Sequence, residues 1–201
     1  MTKAVMLVPG SGDAASNFLA TAMDLRDHVY GKKNAMIFKL HYSAGGHSIA
    51  PAFTPAPPGF NTNFWKSVDV AGTFMTVSHC GLHDGPMMGS EGEQPWPCID
   101  SESLVLNEDA HLFWSKVGRA LSTVKIIICG CDTGQTYGSL AAAAAGIPVY
   151  GFAHSIAAGV PTTMRPYIAS FEAGRSTKNI IRCWPAASAS FDIVHPSLYS
   201  E

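Results

Sequence analysis

The stretch "VKIIICGCDTGQ", residues 124–135, indicates most directly which fold this chain adopts. Four of its first five residues are β-branched, and the run is apolar without alternation, which predicts a strand buried on both faces. Strands of this kind belong to parallel sheets that are covered by helices on both sides. The run then breaks at Gly-Cys-Asp-Thr-Gly, so a thiol, Cys131, stands at the carboxyl end of a buried strand.

Further apolar runs and helical patterns alternate along the chain and predict one α/β domain over residues 1–201. We expect the other strands at residues 3–10, 34–43, 72–81, 147–155 and 179–184. We expect helices at residues 13–31, in the second half of 101–122, and at 139–146, with long loops at 44–59 and 82–100. In the helix predicted before the quoted stretch, helical spacing predicts that four side chains face the core: Leu112, Val117, Ala120 and Leu121. The alternation predicts a three-layer sandwich around a mostly parallel sheet of about six strands.

The composition narrows the classes of function. Hydrophobic residues make up 47% and charged residues 14% of 201 residues, which suits a compact domain with a large core. The net charge of −2 gives no electrostatic reason to expect a nucleic acid or an anionic membrane surface as partner. No apolar run reaches the length of a membrane span, and the Gly-Ser-Gly at 10–12 lacks the ending of a phosphate loop. We therefore expect no membrane insertion and no cofactor.

The cysteines indicate the redox environment. There are five, an odd number and a low density for a secreted disulfide scaffold. Cys129 and Cys131 are separated by one residue, and we expect them to be poor disulfide partners. We expect a reduced, cytoplasmic protein, with secretion without a leader peptide as the open alternative.

Two of the predicted strands end in reactive side chains. Residues 72–81 finish with Ser-His-Cys-Gly, which contains His79, and the quoted stretch finishes with Cys131. Adjacent strands of a parallel sheet lie about 4.8 Å apart, so neighbouring strands would bring these two side chains to one edge. A thiolate is a nucleophile, and an imidazole can take up its proton or protonate a leaving group. Backbone amides at Gly81 and Cys131 could stabilise an oxyanion at the same edge.

These residues carry a family resemblance. "TVSHCG" at 76–81, "KIIICGCDTGQ" at 125–135 and "LAAAAAGIPVYGF" at 140–152 resemble the cysteine peptidase clan with the caspase-type fold, which includes caspases, metacaspases, legumain, gingipains, separase and bacterial CHAT domains. The resemblance covers about residues 3–155, with His before Cys at a separation of 52 positions. It implies a cysteine endopeptidase in which His79 is the general base or acid, Cys131 the nucleophile and Gly81 an oxyanion-hole amide. It also implies a protein or peptide substrate and allows a regulatory protein partner.

The chain departs from the family's pattern at three positions. Cys80 stands between His79 and the glycine that normally follows directly, and Gly130 replaces the alanine that precedes the nucleophile in CHAT domains. Cys129 stands where metacaspases carry an acidic residue. Three further residues are expected to bind substrate, on the resemblance and on their place at the sheet edge: Asp13, Asp132 and His154.

Three other interpretations remain open on the residues alone. The turn in "LVPGSGDAASNF", residues 7–18, resembles the first loop of α/β-hydrolases, and Asp132 would then be the nucleophile, with His154 or His195 as the catalytic histidine. A non-catalytic caspase-like binding module is the second, favoured by the intervening Cys80. A zinc site built from His79, Cys80, His83 and Cys131 is the third, and the absence of a second close ligand pair speaks against it.

Overall fold

The structure is a computed structural model that describes residues 2–12, 14–43, 46–53, 63–68, 70–81, 85–86, 99–100, 105–134, 136–175 and 180–183. Asp13, His83 and His195, which the sequence analysis named, lie outside these residues, as do most of the loop at 82–100 and the chain beyond residue 183.

A mixed sheet forms the centre of the described part of the chain. Its strands are β1 (Thr2–Pro9), β2 (Ala35–Ser43), β3 (Gly46–Pro51), β4 (Val70–Val77), β7 (Lys125–Cys129), β8 (Val149–Phe152) and β9 (Ile180–Cys183). They lie in the order β3-β2-β1-β4-β7-β8-β9, and the five inner strands are parallel while the two edge strands are antiparallel. A separate two-stranded ribbon consists of β5 (Ile99–Asp100) and β6 (Val105–Leu106).

Helices cover both faces of this sheet. They are α1 (Ala15–Leu25), which continues as a π-helical turn (Arg26–Tyr30), α2 (Phe64–Ser67), α3 (Glu108–Ala120), α4 (Thr136–Ala145) and α5 (Pro161–Glu172). One buried cluster joins α1 and α5 to the sheet, and a second joins α2, α3 and α4 to its other side. The predicted fold class, a three-layer α/β sandwich with a mostly parallel sheet, is confirmed.

The structure differs from the prediction at several elements. The sheet has seven strands within the described residues, because residues 46–51, expected in a loop, pair with β2 as an edge strand. An edge strand tolerates Pro51, since one side of its backbone has no ladder partner. Helix α5 was not predicted. On α3 the side chains that face the core are Ala110, Phe113, Trp114 and Val117 rather than Leu112, which is 49% exposed.

The pairing of β4 with β7 fixes the geometry of the carboxyl edge. The two strands run parallel, with Val77 aligned with Cys129, and the amide of Ser78 donates to the carbonyl of Cys129 at 3.2 Å. Val77 and Cys129 both belong to the buried cluster of α1 and α5. The ladder between the two strands ends here, two residues before His79 and Cys131.

Candidate active site at the carboxyl edge of the sheet

His79 and Cys131 follow the aligned pair Val77 and Cys129 by the same two positions. The prediction that their strands are neighbours is confirmed by the parallel pairing of β4 and β7, which ends two residues before each of them. His79 is exposed and Cys131 is partly exposed, so solvent reaches both. The catalytic roles assigned to them remain a prediction at this point.

The ring of His79 lies against helix α1. It contacts the ring of Phe18 edge-on, with the centroids 4.9 Å apart and the planes at 90°. Phe18 is 2% exposed and belongs to the cluster that joins α1 to the sheet, so it is a fixed support. A rigid aromatic wall restricts the imidazole to few orientations, and edge-on contact is one of the favourable geometries for ring pairs.

Cys131 is held by the backbone of the segment that follows β8. The amide of Ile156 donates to Sγ at 3.3 Å, and Sγ also lies 3.3 Å from the carbonyl of Ile156, to which the thiol can donate. These two contacts fix the position of the sulfur. Within the described residues no hydrogen bond joins His79 to Cys131. Catalytic hydrogen bonds are often long before substrate binds.

The Thr-Gly that follows the cysteine fixes the turn. Thr133 is fully buried, and its hydroxyl lies 2.9 Å from the carbonyl of Ile128 and 3.2 Å from that of Gly130, to either of which it can donate. The amide of Gly134 donates to the carbonyl of Phe152 on β8 at 2.9 Å. These bonds attach the turn to β7 and β8, so Cys131 stands on a rigid support.

A glycine on β8 makes this attachment possible. A Cβ at Gly151 would lie 2.4 Å from the amide nitrogen of Gly134 and 2.5 Å from the carbonyl carbon of Thr133. Both are backbone atoms, so no side-chain movement could relieve such a contact. Gly151 therefore lets the turn that carries Cys131 lie directly on the neighbouring strand.

Asp132 and His154 both lie at the same edge as Cys131. Asp132 has a φ of 54°, in the left-handed region that Asp adopts more readily than most residues. Its carboxylate accepts a hydrogen bond from the hydroxyl of Ser155 at 3.2 Å, and its amide lies 3.4 Å from the carbonyl of His154. His154 is exposed. The carboxylate thus stabilises the segment 153–156 that supports Cys131, and substrate binding by these two residues remains a prediction.

The residue after His79 is directed away from the solvent. Cys80 is 8% exposed and belongs to the cluster of α3 and α4, on the opposite face of the sheet. Its Sγ lies 3.6 Å from the hydroxyl oxygen of Ser78. Gly81 follows and is partly exposed. Its role as an oxyanion-hole amide stays a prediction. Substrate binding by Asp13, which lies outside the described residues, also stays a prediction.

Cys129 is a core residue, as its place in the apolar run suggested. It is completely buried, and the cost of moving a charge out of water raises the pKa of its thiol far above the ordinary value. The neighbouring sulfurs of Cys80 and Cys131 add to this increase in the pKa. A thiol kept protonated in this way does not compete with Cys131 as a nucleophile.

Two contacts of the site carry no signal in the sequence. Phe18 has the spacing of an ordinary core residue of a helix, and Ile156 acts through backbone atoms that every residue possesses.

Within the described part of the chain, no cluster of three His, Cys, Asp or Glu side chains could hold a metal ion, and His83 of the zinc alternative lies outside it. No described helix combines the length and the apolar character that crossing a bilayer demands.

Comparison with known proteins gives two solved structures that resemble the chain. A secreted C11 cysteine protease from Bacteroides thetaiotaomicron, "iotapain", is 16% identical with a TM-score of 0.41, over 79% of this chain and 53% of that protein. An inactive zymogen C11 protease from Parabacteroides distasonis is 14% identical with a TM-score of 0.40, over 80% of this chain and 51% of that protein. The chain spans about half the length of these two proteins. No protein-family model and no curated protein matches the chain. The structural neighbours are thus C11 cysteine proteases, which belong to the caspase-like clan.

Proposed function

We propose that this protein is a cysteine endopeptidase in which Cys131 is the nucleophile and His79 the general acid and base. The observation that carries the proposal is the parallel pairing of β4 and β7, whose ladder ends two residues before an imidazole and a thiol that are both open to solvent. The resemblance of the two motifs to the caspase-type clan, stated from the sequence, supports the same assignment. The substrate is a peptide bond of a protein or peptide.

The reaction proceeds through a thioester. The thiolate of Cys131 attacks the carbonyl carbon of the peptide bond and forms a tetrahedral oxyanion. As this intermediate collapses, the carbon–nitrogen bond breaks and the imidazolium of His79 gives its proton to the leaving amine. The neutral imidazole of His79 then takes a proton from a water molecule, which attacks the thioester and releases the carboxylic acid. The carbon–sulfur bond of this second tetrahedral intermediate breaks, so the sulfur leaves as the thiolate beside the protonated His79 and the enzyme is regenerated.

Hydrogen-bond donors near the sulfur support this chemistry. The amide of Ile156 stabilises the thiolate between catalytic cycles, because it already donates to Sγ at 3.3 Å. The amides of Gly81 and Cys131 are the candidates for stabilising the oxyanion, since both follow strand ends where the ladder no longer occupies them. A peptide strand placed across the edge would reach all of these groups.

The decisive test measures the alkylation of Cys131 and its dependence on His79. Wild-type protein treated with iodoacetamide should be modified fastest at Cys131, and His79→Ala should slow that modification by roughly tenfold or more, because only the thiolate reacts. Exposed His111 on α3 provides the matched control, since His111→Ala removes an imidazole on the far side of the sheet and should change nothing. Equal rates in wild type and His79→Ala would refute the dyad.

Peptide hydrolysis completes the test. Cys131→Ala should abolish the cleavage of fluorogenic peptides that differ in the residue before the scissile bond, and His79→Ala should reduce it by about 100-fold or more. Peptides with Lys, Arg, Asp and Ala at that position, together with Asp13→Asn, would show whether cleavage after basic residues requires Asp13. Intact hydrolysis in Cys131→Ala would exclude the thiol mechanism.

One observation favours a hydrolase with a carboxylate nucleophile as the second candidate. Asp132 has a positive φ at a strand-to-helix turn, which is where α/β-hydrolases place their nucleophile. Against this candidate, the Asp132 carboxylate already accepts a hydrogen bond from the hydroxyl of Ser155, which gives it a structural role. Loss of ester hydrolysis in Asp132→Asn, with Cys131→Ala unaffected, would establish this alternative and reject the first.

A further inference from the structure

We infer that Cys80 and Gly130 form a positioning pair, which sets how the segment of His79 sits against the turn of Cys131. The inference rests on the proposed function and concerns the residue after the imidazole and the residue before the thiol. Both are departures from the family's pattern. In the structure the two departures meet in space and fit each other.

The contact between the two residues is tight. A Cβ built on Gly130 would lie 2.1 Å from Sγ and 2.7 Å from Cβ of Cys80, and 3.0 Å from the carbonyl oxygen of Ser78. The side chain of Cys80 thus fills the space that an alanine at position 130 would need. The side chain of Cys80 therefore fits in this position only because residue 130 is a glycine.

The surroundings leave neither residue free to move aside. Gly130 is buried, its carbonyl faces the hydroxyl of Thr133 at 3.2 Å, and its amide donates to the carbonyl of Ile128 at 3.1 Å. On the other strand, the amide of Ser78 is held by the last hydrogen bond between β4 and β7. Cys80 lies between these two fixed segments as a spacer.

The direction of the side chains turns this spacer into a functional contact. Cys80 fills the space beside Gly130 on the face of α3 and α4. The residues next to them in sequence make contacts on the other face, since His79 contacts Phe18 of the α1 and α5 cluster and Cys131 contacts Ile156, which packs against that cluster. A change of distance on one face therefore shifts the neighbouring residues on the other. A displacement of about 1 Å at a catalytic group can cost on the order of 100-fold in rate.

A series of substitutions tests the pair. The readout is the ratio of the alkylation rate of Cys131 by iodoacetamide with His79 present to that with His79→Ala, at a temperature where each variant is folded. Gly130→Ala should lower this ratio by roughly tenfold or more, toward a value of about 1. Adding Cys80→Ala removes Sγ but leaves Cβ, so it should restore the ratio partly. Adding Cys80→Gly removes both atoms and should restore it most.

A matched control separates positioning from general packing. A Cβ at Gly118 would lie within van der Waals overlap of the carbonyl of Ala145, between α3 and α4 and away from the edge. Gly118→Ala should therefore lower the thermal midpoint and leave the ratio unchanged. If Gly130→Ala does not fold, Cys80→Gly and its combination with Gly130→Ala carry the comparison, because the overlap with the Cys80 side chain is absent from both.

The outcomes distinguish the inference from the proposal on which it rests. An unchanged ratio in Gly130→Ala, or no recovery on adding Cys80→Gly, would overturn the positioning pair while the dyad stands. A wild-type ratio of about 1 would overturn the dyad, and the pair with it. A lowered ratio that recovers in the order Gly over Ala at position 80 would support both.

Discussion

Replacing Glu172 by alanine is expected to destabilise the fold by removing three hydrogen bonds at the amino edge of the sheet. Glu172 ends α5, and one of its carboxylate oxygens accepts from the hydroxyls of Tyr30 at 2.7 Å and Thr73 at 2.9 Å. The other oxygen accepts from Nζ of Lys125 at 2.6 Å. A single carboxylate therefore joins α5 to the π-helical turn after α1, to Thr73 of β4 and to Lys125, the first residue of β7.

The magnitude follows from the burial of the partners. Hydrogen bonds to a charged group contribute about 1.5–3 kcal/mol each, but the contributions are not additive. The ion pair with Lys125 is worth about 1 kcal/mol or less, because the lysine side chain is 25% exposed. The hydroxyl of Tyr30, which is 8% exposed, would lose a partner at a cost of about 1–3 kcal/mol. We expect a total near 3 kcal/mol for Glu172→Ala.

Urea unfolding and calorimetry measure this effect. In a chain of this size, 1 kcal/mol corresponds to about 2–4 °C, so the midpoint should fall by roughly 6–12 °C. Glu172→Gln is the matched control: its amide oxygen still accepts from Tyr30 and Thr73, so it should lose only about 1 kcal/mol. A cost below about 1 kcal/mol for Glu172→Ala, or equal costs for the two variants, would refute this account of the network.

Further outcomes can be measured on the same protein. Burial raises the pKa of the Cys129 thiol in the folded state above the ordinary value of 9.0, so the stability that comes from keeping this thiol protonated is complete below pH 9.0 and is lost as the pH rises above it. The free energy of unfolding measured in urea should therefore fall by up to about 1.4 kcal/mol per pH unit, and Cys129→Ala should reduce that slope. Asp132→Gly should leave the positive φ unstrained but remove the bond from Ser155, slowing peptide hydrolysis several-fold with little change in the thermal midpoint, whereas a large drop in the midpoint would indicate a purely structural carboxylate. Gly151→Ala should cost about 1–3 kcal/mol and slow alkylation of Cys131, because the new methyl group meets the backbone of Gly134; wild-type alkylation in this variant would show that the turn does not depend on β8.

Most strands could be predicted because buried parallel strands have a simple signature. The runs that became the inner strands β1, β2, β4, β7 and β8 are largely apolar, as the strands of a covered parallel sheet are. The edge strand β3 lacks this signature, since its sequence "GHSIAP" is short, polar on one side and ends in proline. Its partner β2 decides its conformation, and a pairing partner is not visible in a local window.

The helices show where the local pattern misleads. Pro161 begins α5 and Pro166 lies within it, and two threonines follow the first proline, so neither propensity nor composition indicated a helix. On α3 the apolar face is set by aromatic residues at positions 113 and 114, which are fully or nearly buried, and Leu112 is turned outward by one position. Bulky rings filled the interior more effectively than the leucine.

The candidate site was predictable to the level of its motifs and no further. The two strand ends could be matched because parallel neighbours bring equivalent positions to one edge. The support of Cys131 by Ile156 could not be foreseen, because a backbone amide leaves no mark on the sequence. The intervening Cys80 looked like a defect of the motif, and only the coordinates show that Gly130 makes room for it.

The order of the strands also has a consequence for synthesis on the ribosome. Once β1, β2 and β4 have formed, β7, β8 and β9 join one outer margin of the sheet in the order in which they are translated. Until β8 emerges, β7 is therefore the open margin of a growing sheet, with unpaired backbone groups and the thiol at its tip. The nascent chain therefore passes through a stage in which the thiol of Cys131 lacks the support of the segment after β8, and a chaperone that covers this margin would protect the sheet from aggregation.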